Sequence, residues 1–302
     1  MTKFYYHSSF WFKYWANKFG FYKTHKNSYK LSSEEYSSVD YYCKLKRKFL
    51  LTNGLCLSDI KLLRKTAYSY DLYNILATLP FEVKFYYIFG DNISNPSKPS
   101  LVKSRPVQGP NLNAVILPLE CIRHFRFEND SKSFCRKNNL IVWRGAAYQK
   151  HRKKFLEKTF GEAFCNVGDT AKNAERKQFI KPRMNISEQL KSKFIFSIEG
   201  NDVASNLKWI MSSNSICVMP KPKYETWFRE GQLIPDVHYI EVSDDMSNLA
   251  EKYEYYLARP QLCKEIIDNA NMYAMKFRDL QRQYAIARLV LKKYKNFSMY
   301  DC

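Results

Sequence analysis

Short apolar runs and longer helical patterns divide this chain into three parts. Residues 31–80 read as mostly helical. Ser32, Ser33 and Glu35 form a capping signal, since a serine hydroxyl accepts from the unpaired N–H groups of a helix start. Ser58 stands in the same relation to Ile60, Leu62 and Leu63. From 259 to 296, Ile266, Ile267, Ala270, Tyr273, Phe277, Leu280, Tyr284, Ala287 and Leu291 recur at helical spacing, as one long amphipathic helix or a pair.

The middle of the chain has a different rhythm. Val83–Phe89 is a β-rich run closed by Gly90-Asp91. Asn95-Pro96, Lys98-Pro99, Pro106 and Gly109-Pro110 then read as a long loop. Ala114–Leu117 and Leu140–Trp143 are buried strands, the second followed by Arg144-Gly145. Further strands are expected at Phe194–Ile198, ending in Glu199-Gly200, and at Ser215–Met219. Strand, polar turn, helix and strand in alternation predict an open α/β sheet. Ligands of such sheets bind beyond the carboxyl ends of the strands, where Asp91, Arg144, Gly145 and Gly200 stand.

Composition narrows the class of protein. A hydrophobic fraction of 45% excludes a disordered chain. No run of 18 apolar residues is present, so a membrane-spanning helix is not expected. The net charge of +20 calls for a polyanion: nucleic acid, anionic lipid or a phosphorylated substrate. Residues 1–66 carry +9, 67–251 carry +6 and 252–302 carry +5, so the excess lies at the two ends. The nearly neutral middle argues against nucleic acid, whose groove would concentrate charge on the folded core.

Residues 1–30 interleave aromatic rings with lysines, among them Trp11, Phe12, Lys13, Tyr14, Trp15 and Lys18. This is not a secretory signal, which needs an aliphatic core. Three readings stand: a first helix packing its rings on the domain, contact with an anionic membrane surface, or nucleic-acid binding. The eight cysteines form no close pair, so a zinc site is not expected. They read as buried apolar residues in a reducing compartment.

Three segments carry candidate chemistry. In 143–152, Gly145 permits a tight turn after a strand, and a helix starts near Gln149 or Lys150. A helix start offers N–H groups and partial positive charge to a phosphate, and Arg144 and Arg152 flank the turn. In 198–210, Gly200 again follows a strand, and Asp202 or Ser205 is placed to cap the next helix. In 224–242, the aromatic turn Tyr224-Glu225-Thr226-Trp227-Phe228 leads into a strand through Pro235-Asp236-Val237-His238-Tyr239.

Together these segments resemble the family-90 glycosyltransferases, most closely their bacterial lipopolysaccharide branch. The resemblance rests on Phe89-Gly90-Asp91, Lys103-Ser104-Arg105-Pro106, Arg123-His124-Phe125, Trp143-Arg144-Gly145 with Arg152, Glu199–Lys208, Ser213-Asn214-Ser215 and Pro235–Ile240. These occur in order from about 85 to 250.

The resemblance implies a GT-B fold, two Rossmann-like domains facing a cleft, with a helical N-terminal region and a long C-terminal helix. Expected bounds are an acceptor-side domain over 1–130, a nucleotide-sugar domain over 131–258, and a helical segment over 259–302 packing back towards the first domain. It implies inverting transfer of a sugar from a nucleotide-sugar, typically UDP-linked, to a glycolipid acceptor of the lipopolysaccharide core. No metal or other cofactor is expected. The place of work would be the cytoplasmic face of the membrane, held peripherally through residues 1–30.

Asp91 matches the family's catalytic base. The implied donor-binding set is Arg144, Gly145, Arg152, Gly200, Ser205, Asn206, Lys208 and Ser215. His238 and Glu230 are further candidates, each with a structural alternative. The animal enzymes carry Ser-Arg-Thr where this chain has Ala146, Ala147 and Tyr148, and an Arg where it has Asn206. Lys208 is the cation that would replace that Arg at the diphosphate. The competing reading is a non-catalytic basic protein binding anionic lipid or nucleic acid.

Overall fold

The computed structural model describes residues 29–56, 66–76 and 83–299. The aromatic leader before Tyr29 and the cap at Ser58 lie outside the described residues. The chain divides into two units. One runs as far as Arg123 and takes up the chain again at Asp279; the other is His124–Arg278.

In the first unit, helix α1 (Ser33–Tyr42) opens with the expected capping box. Ser32 Oγ accepts from the Glu35 N–H at 3.2 Å, and the Glu35 carboxylate accepts from the Ser32 N–H at 2.7 Å. Helix α2 (Ala67–Leu76) buries Tyr70, Leu72, Tyr73, Ile75 and Leu76. Residues 43–56, expected to be mostly helical, instead contain two-residue strands at Phe49–Leu50 and Leu55–Cys56.

Strands β1 (Tyr87–Ile88), β2 (Ser100–Val102) and β3 (Ala114–Ile116) form a parallel sheet in that order. Tyr87 is opposite Leu101, and Leu101 opposite Val115. Every residue of β2 and β3 is buried, as a parallel sheet covered on both faces requires. Two expectations are corrected. The run 83–89 is not one strand: Lys84–Phe85 pairs antiparallel with Leu55–Cys56, and only Tyr87–Ile88 enters the sheet. The proline-rich loop contains β2, which the prolines flank rather than interrupt, so its ladder keeps its N–H donors.

The second unit is built on five parallel strands. They are β4 (Asn138–Gly145), β5 (Cys165–Asp169), β6 (Ser192–Phe196), β7 (Ile216–Met219) and β8 (Ile240–Glu241). Their spatial order is β8-β7-β6-β4-β5. Helix α3 (Lys150–Thr159) connects β4 to β5, and α4 (Leu207–Met211) connects β6 to β7. Counted within the unit, this is the doubly wound order 2-1-3-4-5, in which the strand order reverses between the parallel neighbours β4 and β6. The Cys165–Asp169 strand escapes a reading by hydrophobicity, because Asn166, Gly168 and Asp169 break its apolar run.

The core explains why α3 lies where it does. Phe155 packs edge-on against Trp143 of β4 at 5.3 Å and against Phe196 of β6 at 4.9 Å between ring centroids. Such edge-to-face pairs add to the burial of the rings themselves. Helices α5 (Leu249–Leu257) and α6 (Pro260–Met275) complete this unit, with Tyr256, Cys263, Ile266 and Ile267 in the same core.

The pattern over 259–296 resolves into two helices, and they belong to different units. Helix α7 (Leu280–Phe297) starts at Asp279, whose carboxylate accepts from the Arg282 N–H at 3.1 Å. It is fastened to the rest of the first unit by Arg282, Tyr284, Lys293 and Tyr294, with Lys293 donating to Asp40 at 2.8 Å and to the Cys43 carbonyl at 2.6 Å. Arg282 forks onto Glu35 at 2.5 and 2.6 Å, and Tyr284 donates to Asp71 at 3.1 Å. The Tyr294 hydroxyl accepts from the Tyr86 N–H at 3.1 Å and donates to the Pro99 carbonyl at 3.0 Å. Among the described residues, no helix is long and apolar enough to cross a membrane.

Candidate active site

In a doubly wound sheet the crevice opens at the carboxyl ends of the two strands flanking the reversal. Here those ends are Arg144-Gly145 of β4 and Ser197–Gly200 beyond β6. Gly145 is required by close approach: a Cβ there would stand 2.5 Å from the Trp143 indole. Asp169, at the end of β5, fixes the adjoining turn by accepting from the Ala147 N–H at 3.1 Å and the Ala171 N–H at 2.8 Å.

Arg152 joins the two strand ends. Its Nε and Nη2 donate to the carbonyls of Glu199 (2.8 Å) and Ile198 (2.7 Å), and its Nη1 donates to Ala146 (3.0 Å). Its guanidinium also lies 5.6 Å from the Trp143 ring centroid. Gly200 sits directly against it, so that a Cβ there would meet Nη2 at 3.5 Å. His151 Nε2 is 2.8 Å from the same Glu199 carbonyl. Arg144 turns the other way and bonds Pro182 O at 3.0 Å, Asn166 O at 2.7 Å and Asn166 Oδ1 at 2.9 Å.

Asn206 is the first residue of the α4 turn. Its amide donates to Phe196 O at 2.8 Å, and its Oδ1 accepts from Ser197 at 3.1 Å. Neither Asp202 nor Ser205 caps this helix, contrary to expectation: the N-cap position falls on Asn206 and makes no side-chain capping bond. Ser205 is half-buried beside it.

Lys208 does not stand as a spare cation for a diphosphate. It is fully buried and paired with the equally buried Glu230, with Phe228 5.2 Å away beneath the ammonium. Glu230 also accepts from the Thr226 N–H at 2.6 Å, so the pair fixes the aromatic turn 224–232. Ser215 lies at the opposite, amino-terminal end of the sheet. There it accepts from Lys137 at 2.7 Å and donates to Ser192 O at 2.8 Å, away from the other donor candidates. His238 Nδ1 accepts from the Ile234 N–H at 3.0 Å, and its ring packs on Tyr273 at 5.1 Å. Burial, then the charge of Lys276, holds its pKa below the ordinary value, in keeping with an unprotonated acceptor nitrogen.

One carboxyl at this end of the sheet was not singled out beforehand. Glu199 follows β6 directly, and burial pushes its pKa up to about 7 against the pull of its hydrogen bonds. Those bonds come from the N–H groups of Lys223 at 2.9 Å and Tyr224 at 3.2 Å. The signal for it is an acid placed between the end of an apolar strand and a glycine.

The first unit gathers charge at the carboxyl ends of its own three strands. Asp91 follows β1, Lys103 follows β2 and Glu120 follows β3. Lys103 Nζ is 2.5 Å from Asp91 and 3.7 Å from Glu120. Tyr68 of α2 donates to Glu120 Oε2 at 2.9 Å, and Arg123 Nη1 donates to Oε1 at 2.9 Å. The loop carrying Asp91 is pinned by Ser104, which accepts from the Asn92 N–H at 3.0 Å and donates to Asn92 O at 3.1 Å. Arg105 is buried and donates to Tyr41 O at 2.7 Å and Ala114 O at 3.2 Å, joining α1 to the sheet. Glu120 holds a left-handed φ of 59°, a conformation costly for a side chain of its size. Among the described residues no group of three or more His, Cys, Asp or Glu is placed to hold a metal ion.

The second unit is a doubly wound parallel sheet, and the first carries a charged cluster beyond the ends of its own three parallel strands. Residues 116–302 match glycosyl transferase family 90, and the chain belongs to that family. It is 42% identical over 231 residues to the O-glucosyltransferase LpsA of Dichelobacter nodosus, covering 76% of this chain and 73% of that protein. A shorter likeness, 29% over 120 residues, is to the uncharacterized protein 179R of Invertebrate iridescent virus 6; it covers 37% of this chain and 10% of that protein. The chain is therefore a glycosyltransferase with mixed α/β architecture built on parallel sheets.

Proposed function

We propose that this enzyme is a GT-B glycosyltransferase that moves a hexosyl group from a UDP-sugar to a hydroxyl of a lipopolysaccharide or lipooligosaccharide core, with inversion and without a metal. Glucose is the first donor sugar to test, after the name of the relative from Dichelobacter nodosus. The second unit takes the donor and the first supplies Asp91 as base. Asp91 accepts the proton of the acceptor hydroxyl while the oxygen bonds to the anomeric carbon. The bond from that carbon to the phosphate oxygen breaks, and its electron pair leaves with UDP.

The single observation that carries this reading is the convergence of Asp91, Lys103 and Glu120 beyond three parallel strands in a family-90 chain. Helix α3 supports the donor half. Its N-cap Gln149 makes no side-chain capping bond, and its first turn, Lys150-His151-Arg152-Lys153, contains no acid. Cations are disfavoured at the positive end of a helix dipole, and a bound diphosphate would offset that cost. Arg152 is then chiefly the strap that holds the donor loops, and Arg144 braces the turn. Residues 1–30 are proposed to hold the protein peripherally at the inner face of the membrane, through rings at headgroup depth and lysines on lipid phosphate.

The test is turnover of UDP-glucose, with UDP-galactose beside it, on a truncated-core lipooligosaccharide. Asp91→Asn is expected to lower kcat by about 10²–10⁴, the usual contribution of a general base, while leaving UDP binding intact. Transfer at the wild-type rate by Asp91→Asn would remove the carboxylate from the mechanism. Deleting residues 1–30 is expected to release the protein from anionic vesicles and to spare UDP binding; retention on the vesicles would refute the membrane role.

A further inference from the structure

We infer that Lys103 and Glu120 form a positioning pair that sets the proton affinity of Asp91 and keeps the buried ammonium compensated while Asp91 changes charge. The inference rests on the reading of Asp91 as the base.

The geometry is one cation between two carboxylates of unequal exposure. The Lys103 side chain is 2% exposed, that of Glu120 10% and that of Asp91 29%. Asp91 is thus the member that meets an incoming hydroxyl, and Glu120 is the member held inside. Glu120 is fixed by Tyr68 and Arg123 and by its left-handed backbone. Burial pushes the Tyr68 hydroxyl well above its ordinary pKa, so it stays a neutral donor to that carboxylate.

Each charge has a separate consequence. A buried ammonium without a counter-charge is strongly disfavoured. When Asp91 takes the acceptor proton it becomes neutral, and Glu120, 3.7 Å from Lys103, remains as the counter-ion. Before that step Lys103 favours ionised Asp91, while Glu120 opposes a second negative charge nearby and raises its affinity for a proton. Among the described residues of this unit, the charged and titratable groups facing Asp91 include Lys103 beyond β2, Glu120 and Arg123 beyond β3, and Tyr68 from α2.

The two cluster variants therefore move the base in opposite directions. Lys103→Met removes the cation paired with Asp91 at 2.5 Å and keeps the like charge of Glu120 nearby. The acid limb of the kcat/KM profile, measured with UDP-glucose and truncated-core lipooligosaccharide, is expected to rise by about one to three pH units. Glu120→Gln, nearly isosteric and still able to accept from Tyr68, is expected to lower that limb by less and to reduce kcat. Lys103→Arg should restore the wild-type limb. If Lys103→Met does not fold, as judged by circular dichroism, the Glu120→Gln profile decides alone. Acid limbs that stay in place or move the same way, in a protein whose Asp91→Asn variant is inactive, overturn the pairing. Full activity of Asp91→Asn instead overturns the base assignment beneath it.

Discussion

The two units differ in how they hold their polar side chains. In the second unit the motif residues are largely consumed by the framework. Arg144, Arg152 and Asn206 donate to backbone carbonyls, Ser215 sits at the far end of the sheet, and Lys208 is neutralised by Glu230. In the first unit Ser104 and Arg105 serve the framework in the same way, but at the strand ends Lys103 is paired with two carboxylates, one of which, Asp91, reaches the surface. A donor loop is recognised by fixed N–H groups and shape, so it needs rigidity. A base must change its charge during the reaction, so its neighbours must tolerate both states. A motif residue can thus be indispensable to a binding loop and still be turned away from the ligand.

Breaking the framework tests this contrast most severely. Lys208→Met leaves Glu230 buried without a cation and is expected to destabilise the protein by about 3–5 kcal/mol in urea unfolding. The double variant Lys208→Met/Glu230→Gln should recover much of that loss. If the single variant is as stable as wild type but loses UDP binding, Lys208 belongs to the ligand and the contrast fails.

A smaller effect is expected from Arg152→Lys, which keeps the charge and loses the fork over Glu199, Ile198 and Ala146. It should cost about 1.5–3 kcal/mol of stability and weaken UDP binding together. A ligand-only role would weaken UDP binding at unchanged stability, which isothermal titration and denaturation separate.

The mildest effect appears only with pH. Burial raises the Glu199 carboxyl from the ordinary 4.5 to about 7 in the folded protein. The folded state therefore binds the proton more tightly than the unfolded chain, and the contribution of Glu199 to stability falls as pH rises between those values. Glu199→Gln removes this decline. Relative to wild type the variant should gain stability from pH 5 to pH 8, and an unchanged difference would place the carboxyl in water.

Much of this architecture was legible because apolar runs and turns agree locally. Ser32 and Glu35 announced α1, and the sequence placed a strand at Leu140–Trp143 and the helix start at Lys150. The strand β4 nevertheless runs on through Arg144 and Gly145, which pair with Gly168 and Asp169. What escaped was short or interrupted. β2 has three residues among prolines, and β5 is broken by Asn166 and Gly168, so neither reaches the length at which alternation speaks. At the candidate site, Asp91 was visible as an acid after a strand. Glu120 was not, because its meaning depends on Lys103 and Tyr68, 17 and 52 positions away in the chain. Lys208 was legible as a basic residue in a motif, but its pairing with Glu230 comes from tertiary packing that spacing alone does not encode.

The return of α7 to the first unit has a consequence for how the protein is made. Helices α1 and α2 leave the ribosome early, yet their partner begins at Leu280, about 200 residues later. At 5–20 residues per second that is a wait of roughly 10–40 s. The second unit, continuous from His124 to Arg278, can close as soon as it emerges. During that interval Glu35 and Asp71 lack Arg282 and Tyr284, and the face that α7 covers is open to chaperones and proteases. The half of the enzyme proposed to receive the acceptor is thus the last to be finished.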